Sequence, residues 1–116
     1  MKRIFSLEHL TKTERKVVEQ FVRLIRSALD KNLKEIEIFG SKVRGDYTES
    51  SDIDILIIVK ERTLDVMDRI AEITAEMNIE YNLPLSPVIF SEYEYKVNTD
   101  MSSPFILSIE KEGIGL

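Results

Sequence analysis

The stretch DIDILIIV, residues 52–59, places two acidic residues at the start of a continuous apolar run. The five residues from Ile55 to Val59 have no polar face, which predicts a central strand covered on both sides. Asp52 and Asp54 are two positions apart and therefore project from the same face of that strand. Two carboxylates held so close repel each other, and burial raises the free energy of their charged forms. The pattern predicts a divalent metal site; a pair of turn or helix-cap acids is the alternative.

The sequence around this strand predicts a small α+β fold. Thr11 and Glu14 have the spacing of a capping box, and apolar residues at helical spacing predict a helix over about residues 13–30. KEIEIFG predicts a short strand ending at Gly40, and LPLSPVIF, with two prolines, predicts a strand at or near a sheet edge. Further helices are predicted in the middle and near the end of the sequence. We therefore expect one domain, residues 1–116, with few strands and helices packed against them.

The composition restricts the kinds of site and partner. Cysteine is absent and His9 is the only histidine, which excludes disulfides and Cys-type zinc sites and leaves little for a histidine triad. A bound metal would have oxygen ligands, which suit Mg²⁺ or Mn²⁺. The net charge of −5 disfavours bulk nucleic-acid binding and anionic membranes. Neither a signal peptide nor an apolar run of membrane-spanning length is present, so we expect a cytoplasmic protein.

The residues before the acidic pair have the chemistry of a phosphate site. Gly40 and Ser41 leave the preceding strand in a predicted tight turn, where the missing Cβ lets the backbone approach a phosphate closely. The Ser41 hydroxyl can donate a hydrogen bond to a phosphate oxygen, and Arg44 is suited to bidentate phosphate contact. Lys42 adds positive charge. Phosphate and metal are thus predicted side by side, although a solvated loop would also explain the two basic residues.

The whole arrangement is Gly40-Ser41, ten further residues, and then Asp52-x-Asp54, with a predicted strand on each side. It resembles the signature of the DNA polymerase β-like nucleotidyltransferase superfamily. GSKVRGDYTESSDID is most similar to the superfamily's minimal nucleotidyltransferase (MNT) branch, and the leading helix and the tail SPFILSIEKEGIGL are similar to that branch too. The resemblance implies a polymerase β palm-like fold, in which a small mixed sheet is flanked by helices.

The resemblance also implies roles for individual residues. Asp52 and Asp54 would be the catalytic metal ligands, Gly40 and Ser41 would contact the nucleoside triphosphate, and Arg44 would support it. The implied reaction transfers an NMP, AMP from ATP in the first instance, to an acceptor hydroxyl. Similar proteins act as antitoxins that adenylylate a tyrosine of a HEPN-domain toxin, so a HEPN-domain protein is the expected partner. Homo-oligomers are compatible with the sequence.

One position departs from the superfamily pattern. A third acid commonly lies on a neighbouring strand, and the aligned residue here is Ser86, which is neither anionic nor a useful base at neutral pH. Glu80 and Glu92 are the nearest acids in sequence, but neither lies in the predicted strand. The alternative function is therefore a catalytically weak MNT-fold antitoxin, or binding module, that acts by docking. A nucleotide-binding subunit of a small-molecule transferase is a third hypothesis.

Overall fold

The computed structural model describes residues 7–45 and 51–116. Two predictions fall outside these ranges. The predicted absence of a signal peptide concerns residues 1–6, and residues 46–50 are part of the predicted polar loop before Asp52. The described helices and strands, in chain order, are α1 (Lys12–Leu29), β1 (Leu33–Phe39), α2 (Ser41–Arg44), β2 (Ile53–Val59), α3 (Leu64–Tyr81), β3 (Leu85–Ser91), α4 (Glu92–Asp100), α5 (Pro104–Glu112) and β4 (Ile114–Gly115). Short 3-10 turns precede α1 and β1. No helix in the described ranges is long and apolar enough to cross a membrane.

The strands form one mixed sheet in the order β3-β2-β1-β4. β2 pairs antiparallel with β1 and parallel with β3, and β4 pairs antiparallel with β1. The parallel pair needs a crossover connection, which α3 provides. The α+β class with a small mixed sheet flanked by helices is therefore confirmed.

Helices cover both faces of β2, which explains its continuous apolar sequence. Ile55 and Ile57 face the larger core cluster, to which buried residues of α1 and α3 also belong. Leu56 and Ile58 face the opposite side and cluster with buried residues of α5. The prediction of a central strand covered on both sides is correct.

The capping box predicted for α1 is present. The Thr11 hydroxyl accepts a hydrogen bond from the backbone N–H of Glu14 at 3.0 Å, and the Glu14 carboxylate accepts one from the backbone N–H of Thr11 at 2.9 Å. Both bonds satisfy backbone donors that a helix N-terminus leaves unpaired. The buried face of the helix includes Phe21 and Ile25, which are fully buried. The helix is thereby fixed against the sheet.

Strand β3 lies at the edge of the sheet, as its prolines predicted. Pro87 is tolerated because alternate backbone groups of an edge strand point away from the sheet, where no ladder bond is lost. Leu85 lies two residues earlier and presents its backbone on the same side as Pro87. The Asn78 side chain of α3 bonds both the N–H and the carbonyl of Leu85, at 2.9 and 3.2 Å. Part of the outer edge is therefore closed by the protein itself.

Two short elements were not predicted. Ser41 to Arg44 form a helical turn, α2, where the sequence predicted a tight turn and loop. After α5, residues Ile114 and Gly115 join the sheet as β4, and Leu116 continues with a hydrogen bond from its N–H to the Ile36 carbonyl at 3.0 Å. Both elements are too short to give a periodic pattern, and β4 depends on a partner strand far away in sequence. Both position residues of the candidate site.

Candidate active site

The centre of the site is the contact between Gly40 and Asp54. Phe39, the last residue of β1, pairs with Asp54 in the sheet, so Gly40 leaves the sheet beside that carboxylate. A Cβ on Gly40 would lie 3.1 Å from Cγ of Asp54 and closer still to Oδ2. Gly40 also has a φ of +87°, in the left-handed region that favours glycine. The predicted phosphate-binding turn and the predicted metal ligand are therefore adjacent, with Ser41 next along the chain at the start of α2.

Replacing Gly40 with alanine is expected to destabilise the fold by about 2 kcal/mol and to weaken nucleotide binding, because strained φ and crowding of Asp54 act together. Thermal unfolding and titration with a non-hydrolysable ATP analogue would measure both effects. Gly115 is the matched control, since a Cβ there meets nothing within 4 Å. Equal effects of the two substitutions would contradict the assigned role of Gly40.

The electrostatics of the site favour a bound cation. Burial, followed by repulsion from Asp52, raises the pKa of Asp54 above its ordinary value; Arg44 opposes this rise and Glu112 adds to it. Asp52 itself is exposed and directly precedes β2, which begins one residue later than the sequence predicted. Among the described residues, the carboxylates of Asp52 and Glu112 and the guanidinium of Arg44 act on the charge of Asp54. With Asp54 itself, the site thus has three carboxylates and one guanidinium. This excess of negative charge is unfavourable without a counter-ion and is typical of a cation site.

The two carboxylates of Asp52 and Asp54 fit the way in which Mg²⁺ binds together with a nucleotide. Within residues 7–45 and 51–116, no three acidic or histidine side chains come together closely enough to hold a metal alone. Mg²⁺ is commonly bound by one or two carboxylates, with water and substrate phosphates completing its coordination. Asp52 and Asp54 would be the protein ligands in such a site. The metal and the triphosphate would then bind together.

The register of the parallel pair places Ser86 directly beside Asp54. Paired residues of neighbouring strands present their side chains on the same face, so Ser86 lies next to the metal-ligand candidate. Ser86, the residue aligned with the superfamily's third acid, is therefore the neighbour of Asp54 on the adjacent strand. Its short neutral side chain supplies no third negative charge there.

Sequence analysis missed a residue that the fold brings to this place, Glu112. Its carboxylate, on the last residue of α5, accepts hydrogen bonds from Nη1 of Arg44 at 3.0 Å to both oxygens. The same carboxylate accepts a bond from the backbone N–H of Gly40 at 3.3 Å. Arg44 is held beside the turn by this pair, with its side chain 38% exposed. Nothing in the local sequence indicates the contact, because its partners are 68 and 72 positions away.

Lys42 has a different role from the predicted one. Its ammonium group lies 2.7 Å from the carboxylate of Glu14 on α1, and the two side chains are only 3% and 8% exposed. Burial raises the pKa of Glu14, but hydrogen bonds from Lys42 and the Thr11 backbone outweigh this and lower the pKa overall. Lys42 therefore does not extend into solvent as a phosphate ligand. It ties α2 to α1 through a buried ion pair.

The other side of α2 is fixed by His9, for which the sequence suggested no role. A Cβ on Gly45, the residue after α2, would lie 2.8 Å from Cε1 of the His9 ring. Gly45 has a φ of +85°, so it also ends the helical turn in a conformation that favours glycine. The turn that carries Ser41 and Arg44 is thus packed between the 3-10 turn at Leu7–His9 and the sheet.

The sequence pattern of the nucleotidyltransferase domain family matches residues 15–114, most of the chain. The chain belongs to this family. Two nucleotidyltransferase relatives come from Methanocaldococcus jannaschii, and both are named as protein adenylyltransferases. One is 32% identical over 99 residues, which are 84% of this chain and 93% of that protein. The other is 35% identical over 88 residues, 73% of this chain and 83% of that protein. The resemblance to a minimal nucleotidyltransferase domain, and with it the assignment as an enzyme, is confirmed.

A solved structure shares the fold of this nucleotidyltransferase domain. It is a spectinomycin adenyltransferase from Enterococcus faecialis, crystallised with ATP and spectinomycin. The TM-score is 0.54 at 24% identity, over 69% of this chain and 35% of that enzyme. The chain thus spans about a third of that enzyme's length, and the likeness concerns the fold alone.

Proposed function

We propose that this nucleotidyltransferase acts in the cytoplasm and transfers AMP from ATP to a hydroxyl group of another protein. The observation that carries the proposal is the contact between Asp54 and Gly40, which joins the acidic pair to the turn expected to bind phosphate. The names of the Methanocaldococcus relatives support adenylyl transfer to a protein.

In this reaction the acceptor oxygen forms a bond to the α-phosphorus of ATP. The bond from that phosphorus to the bridging oxygen breaks, pyrophosphate leaves, and the hydroxyl proton passes to water. Gly40 allows the backbone to approach the phosphates, the Ser41 hydroxyl donates to a phosphate oxygen, and Arg44 offsets negative charge. A divalent ion held by Asp52 and Asp54 would act as a Lewis acid on the phosphate oxygens.

The acceptor we propose is a tyrosine of a HEPN-domain toxin, whose modification would silence the toxin. Support for this partner comes from the resemblance of GSKVRGDYTESSDID to MNT antitoxins. The acidic net charge of −5 is compatible with a basic, RNA-binding partner.

The test is transfer of label from α-phosphate-labelled ATP, with Mg²⁺, onto a HEPN-domain protein encoded beside this one. Wild-type protein is expected to label the partner, and replacing the acceptor tyrosine with phenylalanine is expected to remove the label. Omitting Mg²⁺ or adding a chelator should remove it as well. Label that persists on the phenylalanine variant would contradict the tyrosine acceptor, and an unlabelled partner in a stable complex would contradict adenylyl transfer.

A second candidate function is favoured by Ser86. Because this neutral residue pairs with Asp54 where the superfamily commonly has an acid, a module that silences its partner by docking alone is also consistent with the site. Toxin assays with Asp54→Asn separate the two functions. Full protection by that variant would support docking, and loss of protection despite complex formation would support the enzyme.

A further inference from the structure

Glu112 stands out because it makes two contacts to the candidate nucleotide-binding turn from outside that turn. Its carboxylate binds the guanidinium of Arg44 and the backbone N–H of Gly40, which are the last residue of α2 and the residue before it begins. The Glu112 side chain is only 12% exposed. A carboxylate in the last turn of a helix faces the negative end of the helix dipole, so α5 alone does not favour this position. The hydrogen bonds from Arg44 and Gly40 compensate for this unfavourable interaction with the helix dipole.

The segment after α5 fixes where Glu112 lies. Gly113 passes so close to the Glu37 side chain and the Ile109 carbonyl that a Cβ there would collide with both. β4 then pairs with β1, the strand that leads directly into Gly40. Glu112 and Gly40 are therefore anchored to the same strand. The assembled sheet thus sets the relative position of the two residues.

We propose that Glu112 is a positioning residue for the nucleotide site. It holds Arg44 and the Gly40 backbone in the arrangement that receives the triphosphate, and it acts through them without touching the substrate. The inference rests on the proposed function, since it assumes that the turn binds nucleotide. Glu112 does not replace the missing third acid, because no three acidic side chains of the described ranges form a metal site.

The assignment predicts a selective loss of nucleotide affinity. Glu112→Ala is expected to raise the dissociation constant of a non-hydrolysable ATP analogue, measured by calorimetry with Mg²⁺, by about five- to tenfold. Glu112→Gln keeps one oxygen, which can accept from both Arg44 and Gly40 as Oε2 of Glu112 does, and is expected to restore affinity to within about threefold of wild type. Glu110→Ala is the matched control, because it removes the same charge from an exposed position of the same helix. It should change affinity by less than about twofold.

A double substitution tests whether Glu112 acts through Arg44. In an Arg44→Ala background, adding Glu112→Ala should weaken binding by less than about threefold further, because the main link is already gone. Full additivity of the two losses would overturn a role through Arg44. Circular dichroism and thermal unfolding confirm that each variant is folded. If Glu112→Ala is not, Glu112→Asp replaces it, because its shorter side chain cannot reach both partners and should weaken binding by at least about threefold.

The outcomes separate the inference from the proposed function. Unchanged affinity in Glu112→Ala would overturn the positioning role while leaving nucleotide binding established. Tighter binding by both Glu112→Ala and Glu112→Gln would also overturn it and would show that the carboxylate competes with phosphate for Arg44 and Gly40. A wild-type protein that binds no ATP analogue would overturn the proposed function itself, and the positioning role with it.

Discussion

Asp54→Asn is expected to lower the rate of adenylyl transfer by about a thousandfold, equivalent to about 4 kcal/mol of transition-state stabilisation. The reason is that the amide lacks the negative charge with which Asp54 would hold a divalent ion beside Gly40. The measurement is the initial rate of label transfer from ATP to the partner protein. Asp68→Asn on the exposed side of α3 makes the same chemical change away from the site and should leave the rate unchanged.

The same substitution should not lower stability in the absence of metal. Since burial and the neighbouring carboxylates raise the pKa of Asp54, its ionised form destabilises the folded protein above that pKa. A neutral asparagine removes the repulsion, so the metal-free variant should melt no lower than wild type. A clear fall in the melting temperature would mean that Asp54 has a structural role. Activity retained with an intact fold would contradict the catalytic role.

Lys42→Met is expected to destabilise the fold by about 3 kcal/mol, because it leaves the Glu14 carboxylate buried without its partner. Urea unfolding at pH 7 measures this loss. Adding Glu14→Gln should recover stability to within about 1 kcal/mol of wild type, since the glutamine retains the capping contact and no charge remains buried. A double variant as unstable as Lys42→Met alone would show that the packing of the lysine side chain matters more than its charge.

The loss caused by Lys42→Met should also depend on pH. In wild type the pKa of Glu14 is lowered, so the ion pair stabilises the fold at neutral pH and is lost only as pH falls through that lowered pKa. In the variant the hydrogen bond and the charge of Lys42 no longer lower the pKa of Glu14, so this carboxylate becomes protonated and uncharged at a higher pH than in wild type. The stability difference between the two proteins should therefore be largest at neutral pH and shrink towards pH 4. A difference that is independent of pH would contradict the electrostatic explanation.

Local sequence was sufficient to predict much of the sheet and one edge of the site. The apolar run after Asp54 identified the central strand, and two prolines identified β3 as an edge. The resemblance to the superfamily aligned Ser86 with the third-acid position, and the strand register places this residue beside Asp54. These features depend on periodicity within one segment, or on two neighbouring segments pairing in register.

The remaining parts of the site depend on contacts between distant segments. Glu112 looked like an ordinary exposed acid at the end of a helix, because β4, which anchors it, is too short to be recognised. Lys42 looked like an exposed positive charge near the phosphate site, because charged residues between elements are usually exposed and its partner Glu14 was already assigned to a capping box. Long-range ion pairs such as these carry no local pattern. They become apparent only when the helices are packed on the sheet.

The outer edge of β3 has a consequence for self-association. An exposed strand edge offers a row of backbone donors and acceptors that can recruit another copy of the chain and start aggregation. Here Pro87 has no N–H to offer, and Asn78 already occupies the N–H and carbonyl of Leu85. These are successive outward-facing positions, so a second chain meets an interrupted row at this end of the strand. This end of β3 is thereby a poor template for edge-to-edge growth of the sheet into larger aggregates.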